Sequence, residues 1–323
     1  MANVEELAKR LSGASVLVTG GAGFIGSHLV EACVEAGADV VVLDNLQAGK
    51  WTNLSGVAGK VSCVEADIRS PEEVARVVAE HNPRFVFHLA ANASVPGSVQ
   101  DPVYDFEANA LGTFVVLNSL RGSDCEKIVA ASSGAVYGEP ISFPIKETDE
   151  LRPISPYGGT KLNTEVTSRV LHSVYKTPVT LARIFNSYGP RMARFVMLDF
   201  LRKLQADPLR LEILGNGKQV RDFTYVSDTV QGLLVLALSG EPGEAYNISS
   251  GKSYSVTDMA NELLRVRGLS GKTELHYTGS SWVGDAQRWE VDIEKLKALE
   301  YTPAFSLEAG LRNTADWFDE SFA

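Results

Sequence analysis

Near-continuous apolar runs alternate with amphipathic segments through the first half of the chain. The runs are SVLVTG, DVVVLD, KVSCVEAD, RFVFHLAA, KIVAASS and TPVTLARIF. Strands that are apolar on both faces are expected where helices cover both sides of a parallel sheet. The repeated alternation of strand and helix therefore predicts an α/β fold with a doubly wound parallel sheet of the Rossmann type.

The alternation becomes irregular after about residue 187. The segments FVMLDFLRKLQ, DTVQGLLVLALSG and VTDMANELLRVRG have helical periodicity, with short strands between them. We predict a Rossmann domain over residues 1–187, to which residues 222–248 return. Residues 188–221 and 249–323 are predicted to form a smaller, interleaved α/β region that binds substrate.

One helix start is clearly marked, in the stretch SPEEVARVV. Ser70 is predicted to be the N-cap, because its hydroxyl can accept from the first turn. Pro71 suits the first helical position, and Glu73 is predicted to complete a capping box.

Four glycines lie where the first apolar run meets a helical segment, in VLVTGGAGFIGSHLV. Gly20, Gly21, Gly23 and Gly26 are poor choices inside either a strand or a helix. A tight turn, close approach of a pyrophosphate and close helix–strand contact each require a residue without a side chain. The following helix N-terminus would offer N–H groups to the phosphates. The pattern predicts a dinucleotide site, with a merely tight turn as the alternative.

The next strand ends in Asp44. A carboxylate at that position can accept hydrogen bonds from both ribose hydroxyls of adenosine, and it would repel a 2′-phosphate. The residue therefore favours NAD over NADP, the alternative being an acidic loop or cap residue.

Composition and charge exclude several classes of protein. The chain has 323 residues, of which 45% are hydrophobic and 22% charged, and its net charge is −10. These values are ordinary for a globular protein and argue against nucleic-acid binding. No apolar run approaches the roughly 20 residues needed to span a bilayer, and the acidic start is unlike a signal peptide. The three cysteines suggest a reducing compartment, so we expect a cytoplasmic protein without a membrane or nucleic-acid partner.

The five histidines have no metal-ligand spacing, and no metal is predicted. We interpret His88, in FVFHLA, as a hydrogen-bonded core residue and His28 as a packing residue of its helix. Cys125 precedes the fifth strand, where nothing indicates an activated thiolate.

A second candidate site combines SSGAVYG with SPYGGTK, which places Tyr157 and Lys161 four residues apart on one helix face. A tyrosine, with a reference pKa of about 10, is a poor base at neutral pH. A neighbouring ammonium and the positive nicotinamide ring would favour its phenolate. Tyr157 is therefore the candidate catalytic base, with Lys161 beside it and Ser133 orienting the same substrate oxygen. A solvated helix face is the alternative for the Tyr157 and Lys161 pair.

The chain resembles the NAD-dependent nucleotide-sugar epimerase/dehydratase family of extended short-chain dehydrogenases/reductases, which includes UDP-glucose 4-epimerase. The matching motifs cover nearly the whole chain in the order TGGAGFIGSHL, DNL, EADI, FHLAA, SVQDP, NALGT, SSGAVYG, YGGTK, RIFNSYGPR, RDFTYVSD, YNISSG and GD. The resemblance implies NAD contacts from Gly20, Gly23, Phe24, Ile25, Gly26, Asp44, Asn45, Asp67, Ile68, Leu89, Ala90, Ala91, Tyr157 and Lys161. By the same resemblance, Asp44 and Asn45 would hold the adenosine ribose, and Asp67 with Ile68 would flank the adenine. It also implies substrate contacts from Ser133, Asn186, Arg221 and Asp285, the planar fork of an arginine being suited to a diphosphate.

Two departures from the family pattern bear on the chemistry. Trp282 stands where the family has an arginine that contacts the diphosphate, and Arg288 is the candidate to compensate for it. Gly134 and Ala135 stand where the 4,6-dehydratases of the family carry an Asp-Glu pair. No acid is then available there to protonate a leaving C6 hydroxyl, and we interpret nearby Glu139 as a turn residue.

The expected function is NAD-dependent modification of a nucleotide sugar, with UDP favoured, through transient oxidation at C4. Epimerisation at C4 is the first expectation, and 4,6- or 5,6-elimination of water is the alternative. A non-catalytic dinucleotide sensor is disfavoured, because such a protein would often lose the Tyr157 and Lys161 pair. In relatives, helices after SVQDP and SPYGGTK pair across a two-fold axis. We therefore expect a homodimer here, and Leu162, Val166, Val170 and Val174 recur at helical intervals.

Overall fold

A seven-stranded parallel sheet forms the centre of the computed structural model, which describes residues 9–279 and 287–322. Strands are numbered along the chain, and their order across this sheet is β10-β6-β5-β4-β1-β2-β3. The strands are β1 (Ser15–Thr19), β2 (Asp39–Asp44), β3 (Val61–Glu65), β4 (Phe85–His88), β5 (Lys127–Ser133), β6 (Val179–Ile184) and β10 (Ala245–Ile248). The six runs that the sequence predicted as strands are thus confirmed, and the doubly wound fold with them.

Helices lie on both faces of this sheet. They are α1 (Phe24–Glu35), α2 (Pro71–His81), α3 (Val95–Gln100), α4 (Pro102–Phe106), α5 (Gly112–Ser119), α6 (Pro156–Tyr175) and α8 (Val226–Ser239). A single π turn over Glu107–Leu111 joins α4 to α5, and 3₁₀ turns cover Trp51–Val57 and Gly134–Tyr137. The helices bury two apolar cores, one against each face.

The strand order reverses beside β1, which lies between β2 and β4. The chain leaves β1 for β2 and β3 on one side, and later enters β4, β5 and β6 on the other. The last residues of β1 and β4, Thr19 and His88, are register partners. A crevice at such a reversal, outside the carboxyl ends of the strands, is where open α/β sheets bind ligands.

A smaller region, built around a third apolar core, packs beside the carboxyl ends of the strands of the large sheet. Its three-stranded sheet has the order β11-β9-β7, and β12 pairs with β8. The strands are β7 (Asn186–Tyr188), β8 (Arg210–Ile213), β9 (Val220–Tyr225), β11 (Ser253–Ser255) and β12 (Glu274–Tyr277). The helices are α7 (Val196–Ala206), α9 (Val256–Val266) and α11 (Leu307–Phe322), with the short α10 (Glu294–Lys297) preceding α11.

The two regions exchange segments in both directions. Strand β10 is part of the large sheet and helix α8 packs against that sheet, although both follow the first strands of the small region in the chain. Val291, Ile293, Leu296 and Tyr301 are also buried in the core of the large sheet. The predicted division into two domains at residue 187, with residues 222–248 returning to the first domain, stays a prediction.

The predicted helix start at Ser70 is correct, but the predicted capping box is wrong. The Ser70 hydroxyl accepts from the Glu73 N–H at 3.4 Å, and Pro71 is the first helical residue. The Glu73 carboxylate accepts from the Asp67 N–H at 2.7 Å instead of reaching back to Ser70. The reason is that the Ser70 N–H already donates to the Asp67 carbonyl at 3.0 Å.

Candidate active site

The glycine turn after β1 is packed too closely for side chains. A Cβ at Gly20, whose φ is +71°, would lie 2.6 Å from the backbone nitrogen of Ala90. A Cβ at Gly26 would lie 2.1 Å from the Gly20 carbonyl oxygen. Gly23 is the N-cap of α1, and no side chain caps the first turn of that helix. The first N–H groups of the helix are therefore available to an anion at the carboxyl edge of the sheet.

Asp44, at the end of β2, faces this turn. Its carboxylate is 6% exposed and accepts from the N–H groups of Ala22 at 3.0 Å and Leu46 at 2.8 Å. Burial raises the pKa of Asp44, and these two hydrogen bonds oppose that shift. Each carboxylate oxygen keeps a lone pair for a further donor such as a ribose hydroxyl.

The predicted adenine end of the site lies next to Asp44. Asn45 donates to the Asp67 carboxylate at 3.0 Å. Hydrogen bonds from Arg69 lower the pKa of Asp67 to about 2. Ile68 is buried, with its side chain against Gly112. The structure thus brings together three of the residues predicted for the adenosine, namely Asn45, Asp67 and Ile68.

The remaining predicted cofactor residues line the same edge. Leu89 and Ala90, which follow β4, donate from their N–H groups to the carbonyl and the hydroxyl of Thr19, at 3.1 and 3.3 Å. Phe24 and Ile25 open α1 and pack against the core of the small region. Ala91 continues the segment after Ala90, so the glycine turn and residues 89–91 face each other.

Ser133, Tyr157 and Lys161 come together as the sequence predicted. Ser133 ends β5, and its hydroxyl lies near the Tyr157 phenol, whose pKa it lowers. Tyr157 lies in the first turn of α6, where its N–H donates to the Ser98 hydroxyl at 3.1 Å. Lys161, one turn further along, is 4% exposed and donates to the Ala131 carbonyl at 2.9 Å.

The electrostatics of this group differ in one respect from the prediction. Burial raises the pKa of Tyr157, while the hydrogen bond from Ser133 and the charge of Arg194 lower it. Burial lowers the pKa of Lys161 to about 8, against the opposing effect of Asp105. The cation that acts on the phenol in the structure is therefore Arg194, because the Lys161 ammonium is directed at a backbone carbonyl.

A buried carboxylate behind the pair escaped the sequence analysis. Asp105, in α4, is 0% exposed and accepts from Asn92 at 2.9 Å, Asn109 at 3.1 Å and Thr160 at 2.7 Å. Asp105 and Asn109 are four residues apart in one helical stretch, and Thr160 directly precedes Lys161. That spacing was the available signal, but it does not show that the carboxylate points inwards.

The predicted diphosphate residues lie on neighbouring strands of the small sheet. Asn186, in β7, donates to the Asp222 carbonyl at 3.3 Å. Arg221, in β9, is 9% exposed, and its guanidinium lies 5.2 Å from the ring centroid of Trp289. Strands β7 and β9 pair in parallel, so the two side chains belong to one surface beside the crevice.

The predictions for the C-terminal residues Trp282, Asp285 and Arg288 concern the substrate diphosphate. The predicted substrate residue Asp285 and the substituted position Trp282 lie outside the described residues. Arg288 pairs with Glu290, its Nε donating at 2.7 Å, and its guanidinium lies 4.6 Å from the Phe143 ring centroid. Arg288 is therefore engaged at the surface.

Position 134 has no room for a side chain. A Cβ at Gly134 would lie 2.5 Å from the ring of Phe185, which is 4% exposed. The Phe185 ring is held between Tyr137, with centroids 6.1 Å apart, and Trp289, with centroids 5.7 Å apart. Glu139 is exposed and accepts from the Gln287 N–H at 3.1 Å. Position 134 therefore cannot hold an acidic side chain in this packing, and the Glu139 carboxylate is engaged at the surface.

A buried ion pair supports the elements that carry the site. Arg183, in β6, is 1% exposed and donates to both oxygens of Glu165, in α6, at 2.8 and 2.7 Å. Ser132 also donates to Glu165 at 2.7 Å, and Arg183 donates to the Tyr137 hydroxyl at 2.6 Å. Burial opposes the charge of Glu165, but the Arg183 contacts hold its pKa below the usual value. The pair fixes α6 against the ends of β5 and β6.

The structure agrees with the interpretation of His88, His28 and Cys125 as residues without a role in catalysis or metal binding. His88 is hydrogen-bonded between the hydroxyls of Thr19 at 2.8 Å and Thr113 at 3.0 Å, and burial lowers its pKa to about 3. His28 contacts the Pro190 carbonyl at 3.0 Å. Burial raises the pKa of the Cys125 thiol to about 12.

No group of three or more His, Cys, Asp or Glu side chains in residues 9–279 and 287–322 could hold a metal ion. Over the same residues, each helix is either too short or too polar to cross a bilayer.

Comparison with known proteins places this site in a family. Residues 17–314 match the family model described as GDP-mannose 4,6 dehydratase. A putative UDP-glucose 4-epimerase of Methanocaldococcus jannaschii is 36% identical over 307 residues, which cover 94% of this chain and 97% of that protein. Both the family resemblance and the predicted fold are therefore confirmed.

Solved structures give the same result. The UDP-glucose 4-epimerase of Thermotoga maritima, solved with UDP-glucose, superposes with a TM-score of 0.89 at 35% identity and covers 96% of this chain and 100% of that one. The dTDP-glucose 4,6-dehydratase of Streptomyces venezuelae, solved with NAD bound, gives 0.87 at 29% identity, with 95% and 97% covered. The chain therefore belongs to the GDP-mannose 4,6-dehydratase family of extended short-chain dehydrogenases/reductases, enzymes that include nucleotide-sugar 4-epimerases and 4,6-dehydratases.

Proposed function

We propose that this enzyme is an NAD-dependent 4-epimerase of a nucleotide sugar, with a UDP-sugar as the favoured substrate. The observation that carries the proposal is the placement of Ser133 beside the Tyr157 phenol, next to a position 134 that is closed to any acid. The pair supports reversible oxidation of a sugar hydroxyl, and the closed position disfavours a subsequent 4,6-elimination.

NAD fits the crevice beside β1. Gly20 and Gly26 form a cradle that a Cβ would fill, and the uncapped start of α1 suits a pyrophosphate. Asp44 stands where two ribose hydroxyls would donate to it, and its charge disfavours the extra phosphate of NADP. NAD is also bound in the related dehydratase structure. When bound, NAD would supply a reversible acceptor for the hydride of the sugar C4.

The protein residues handle the proton of the reaction. Tyr157 would take the proton from the C4 hydroxyl as the carbonyl forms, and return it after the sugar has turned over. Ser133 would hydrogen-bond the same oxygen and keep it next to the phenol. The charge of Arg194 favours the phenolate that this role requires. Lys161, buried one turn along α6, would hold the nicotinamide ribose with its ammonium.

The substrate diphosphate is assigned to the small region. Arg221 and Asn186 lie on adjacent strands there, and an arginine fork suits phosphate oxygens. UDP is favoured because the Thermotoga maritima relative was solved with UDP-glucose and the Methanocaldococcus jannaschii relative carries a UDP-sugar epimerase name. We assign the enzyme to the cytoplasm on its cysteines, since Cys33, Cys63 and Cys125 are unpaired.

Dehydration is the second candidate, because both reactions share the oxidation at C4 and the family contains both activities. The purified enzyme should be incubated with a panel of UDP- and dTDP-sugars, and the products identified by mass and NMR. An epimer of unchanged mass is expected. A product lighter by one water would replace epimerisation with dehydration, and no conversion of any sugar would overturn both.

We also propose a homodimer, because α6 buries its polar side and exposes its apolar side. Thr160, Thr164 and Ser168 are buried, whereas Val166, Val170 and Val174 are 52%, 53% and 62% exposed. The helices beside it expose further apolar side chains, which are Val99, Val103, Phe106, Leu111 and Phe114. A contiguous apolar surface of this kind is typical of an interface. A second copy fits, because a two-fold axis would bring the same surface onto itself.

The assembly can be measured by light scattering at working concentration. The expected mass is twice that of the 34.9 kDa chain. Val170→Glu would place a charge in the proposed interface and is expected to give the monomer, whereas Asn261→Glu, exposed on α9 of the small region, adds the same charge away from it and serves as the control. A monomeric mass for the unaltered protein would overturn the proposal.

A further inference from the structure

Asp105 is a carboxylate placed where carboxylates are rarely found. Its side chain is 0% exposed, and an acidic residue is almost never fully buried without a partner of opposite charge. No cation in the described residues forms an ion pair with it. Its three hydrogen bonds all come from neutral groups, namely Asn92, Asn109 and Thr160. Asp105 is therefore a buried carboxylate whose hydrogen-bond donors are all neutral.

The three partners tie separate segments to the catalytic helix. Asn92 follows β4 and its N–H donates to the Asn109 side chain at 2.8 Å. Asn109 lies in the π turn after α4 and donates to the Thr160 hydroxyl at 3.1 Å. Thr160 lies between Tyr157 and Lys161 in α6, and its hydroxyl also donates to the Tyr157 carbonyl at 3.0 Å. The Asp105 carboxylate is the common acceptor in this group.

The charge of Asp105 also acts on both members of the pair. It raises the pKa of Lys161 against the effect of burial, and it raises the pKa of Tyr157. The other charged or titratable groups facing them are His88 from β4 and Arg194 from the segment before α7. With a pKa of about 3, His88 is neutral near neutral pH, so Asp105 is the anion that acts on the Lys161 ammonium.

We propose that Asp105 is a positioning residue of the reaction, which holds the start of α6 in place and supplies the buried counter-charge of Lys161. This inference rests on the proposed role of Tyr157 and Lys161. The hydrogen bonds set where the two side chains stand. The negative charge shifts the pH values at which Lys161 and Tyr157 lose their protons.

Asp105→Asn tests the charge while keeping the shape. One oxygen accepts from both Asn92 and Asn109, and the other accepts from Thr160. The amide oxygen of the variant can keep the first two bonds. Its NH₂ can donate to the Thr160 hydroxyl, which would still donate to the Tyr157 carbonyl. The variant is therefore expected to fold and to bind NAD.

The expected result is a displaced pH profile of turnover. The two limits of the pH profile reflect the ionisations of Tyr157 and Lys161. Asp105 raises both pKa values, so its loss lowers both. Both limits should move to lower pH by about one unit, the low end of what a neighbouring charge produces. A merely structural role would lower turnover at every pH without moving the limits.

The control is Asp228→Asn, which removes another buried carboxylate. Asp228 is 2% exposed and accepts from the N–H groups of Ala304 and Phe305, in the small region. Its loss should reduce stability and leave both pH limits in place. Should Asp105→Asn not fold, Asp105→Ser gives the same prediction, because it removes the charge and leaves room for water.

The outcomes separate the two proposals. Unmoved limits in an enzyme whose turnover still depends on Tyr157 would overturn the role of Asp105 alone. If the Tyr157→Phe variant, with Asp105 in place, turns over at nearly the rate of the unaltered enzyme, the proposed chemistry itself fails. Limits that move to higher pH would also overturn the proposal, since they contradict the sign of the Asp105 charge.

Discussion

Tyr157→Phe is expected to lower the turnover number by about 10² to 10⁴-fold, the usual contribution of a positioned general base. The variant loses only the phenol hydroxyl, which lies near Ser133. The ring and the contact of its backbone N–H with Ser98 remain. Bound NAD and the affinity for nucleotide sugar should therefore be retained, so that the loss appears in turnover and not in binding.

Initial rates of sugar interconversion, with NAD content measured on the same preparations, provide the test. Ser133→Ala should act in the same direction but more weakly, because the serine orients the substrate oxygen and accepts no proton from it. A Tyr157→Phe enzyme with near-normal turnover would contradict the assignment. Equal losses of turnover and of bound NAD would indicate damage to the fold of α6 instead.

Arg183→Met is expected to reduce the free energy of unfolding by about 3–5 kcal/mol, the cost of leaving one member of a buried ion pair alone. Glu165 is 0% exposed and would lose both hydrogen bonds that Arg183 gives it. Tyr137 would lose its donor in the same place. Denaturant unfolding at a fixed protein concentration measures the change.

Arg169→Met is the matched control for this experiment. Arg169 also pairs with Glu165, at 3.1 Å, but its side chain is 41% exposed. Its removal should cost less than about 1 kcal/mol, as is usual for an exposed pair. The double variant Arg183→Met with Glu165→Leu should lose less stability than the sum of the Arg183→Met and Glu165→Leu losses, because no buried charge is left unpaired. Equal losses for Arg183→Met and Arg169→Met would contradict the importance of burial.

The sequence predicted the large sheet and the proximity of Ser133, Tyr157 and Lys161 well, since both depend on local patterns. The six strands are short apolar runs between amphipathic segments, and such runs have few alternative structures. Ser133 was found because it ends a strand, and Tyr157 and Lys161 because they are one helical turn apart. Their proximity follows from the geometry of a parallel sheet, in which carboxyl ends of strands share an edge.

The missed residues depend on contacts between segments that are distant in the chain. Asp105 and Thr160 are 55 residues apart, and no periodicity indicates that an aspartate in α4 points inwards. The same limit affected α6, for which the pattern of valines could not show which face covers the core. In the structure small polar residues cover the core, because the helix must bury Lys161, Thr160 and Glu165. The failed capping box at Ser70 has a local cause instead, because the Asp67 carbonyl three residues earlier already accepts from the Ser70 N–H.

The packing of Phe185 on Gly134 also constrains the evolution of this enzyme. A lineage with this arrangement cannot gain an acid at position 134 by a single substitution, because the Cβ alone would overlap the ring. Phe185 would first have to become smaller, and that change opens a gap between Tyr137 and Trp289. The two sites are therefore epistatic, and only one order of substitutions avoids a clash. Historical passage from epimerase to dehydratase through this position would run by way of a less stable intermediate sequence.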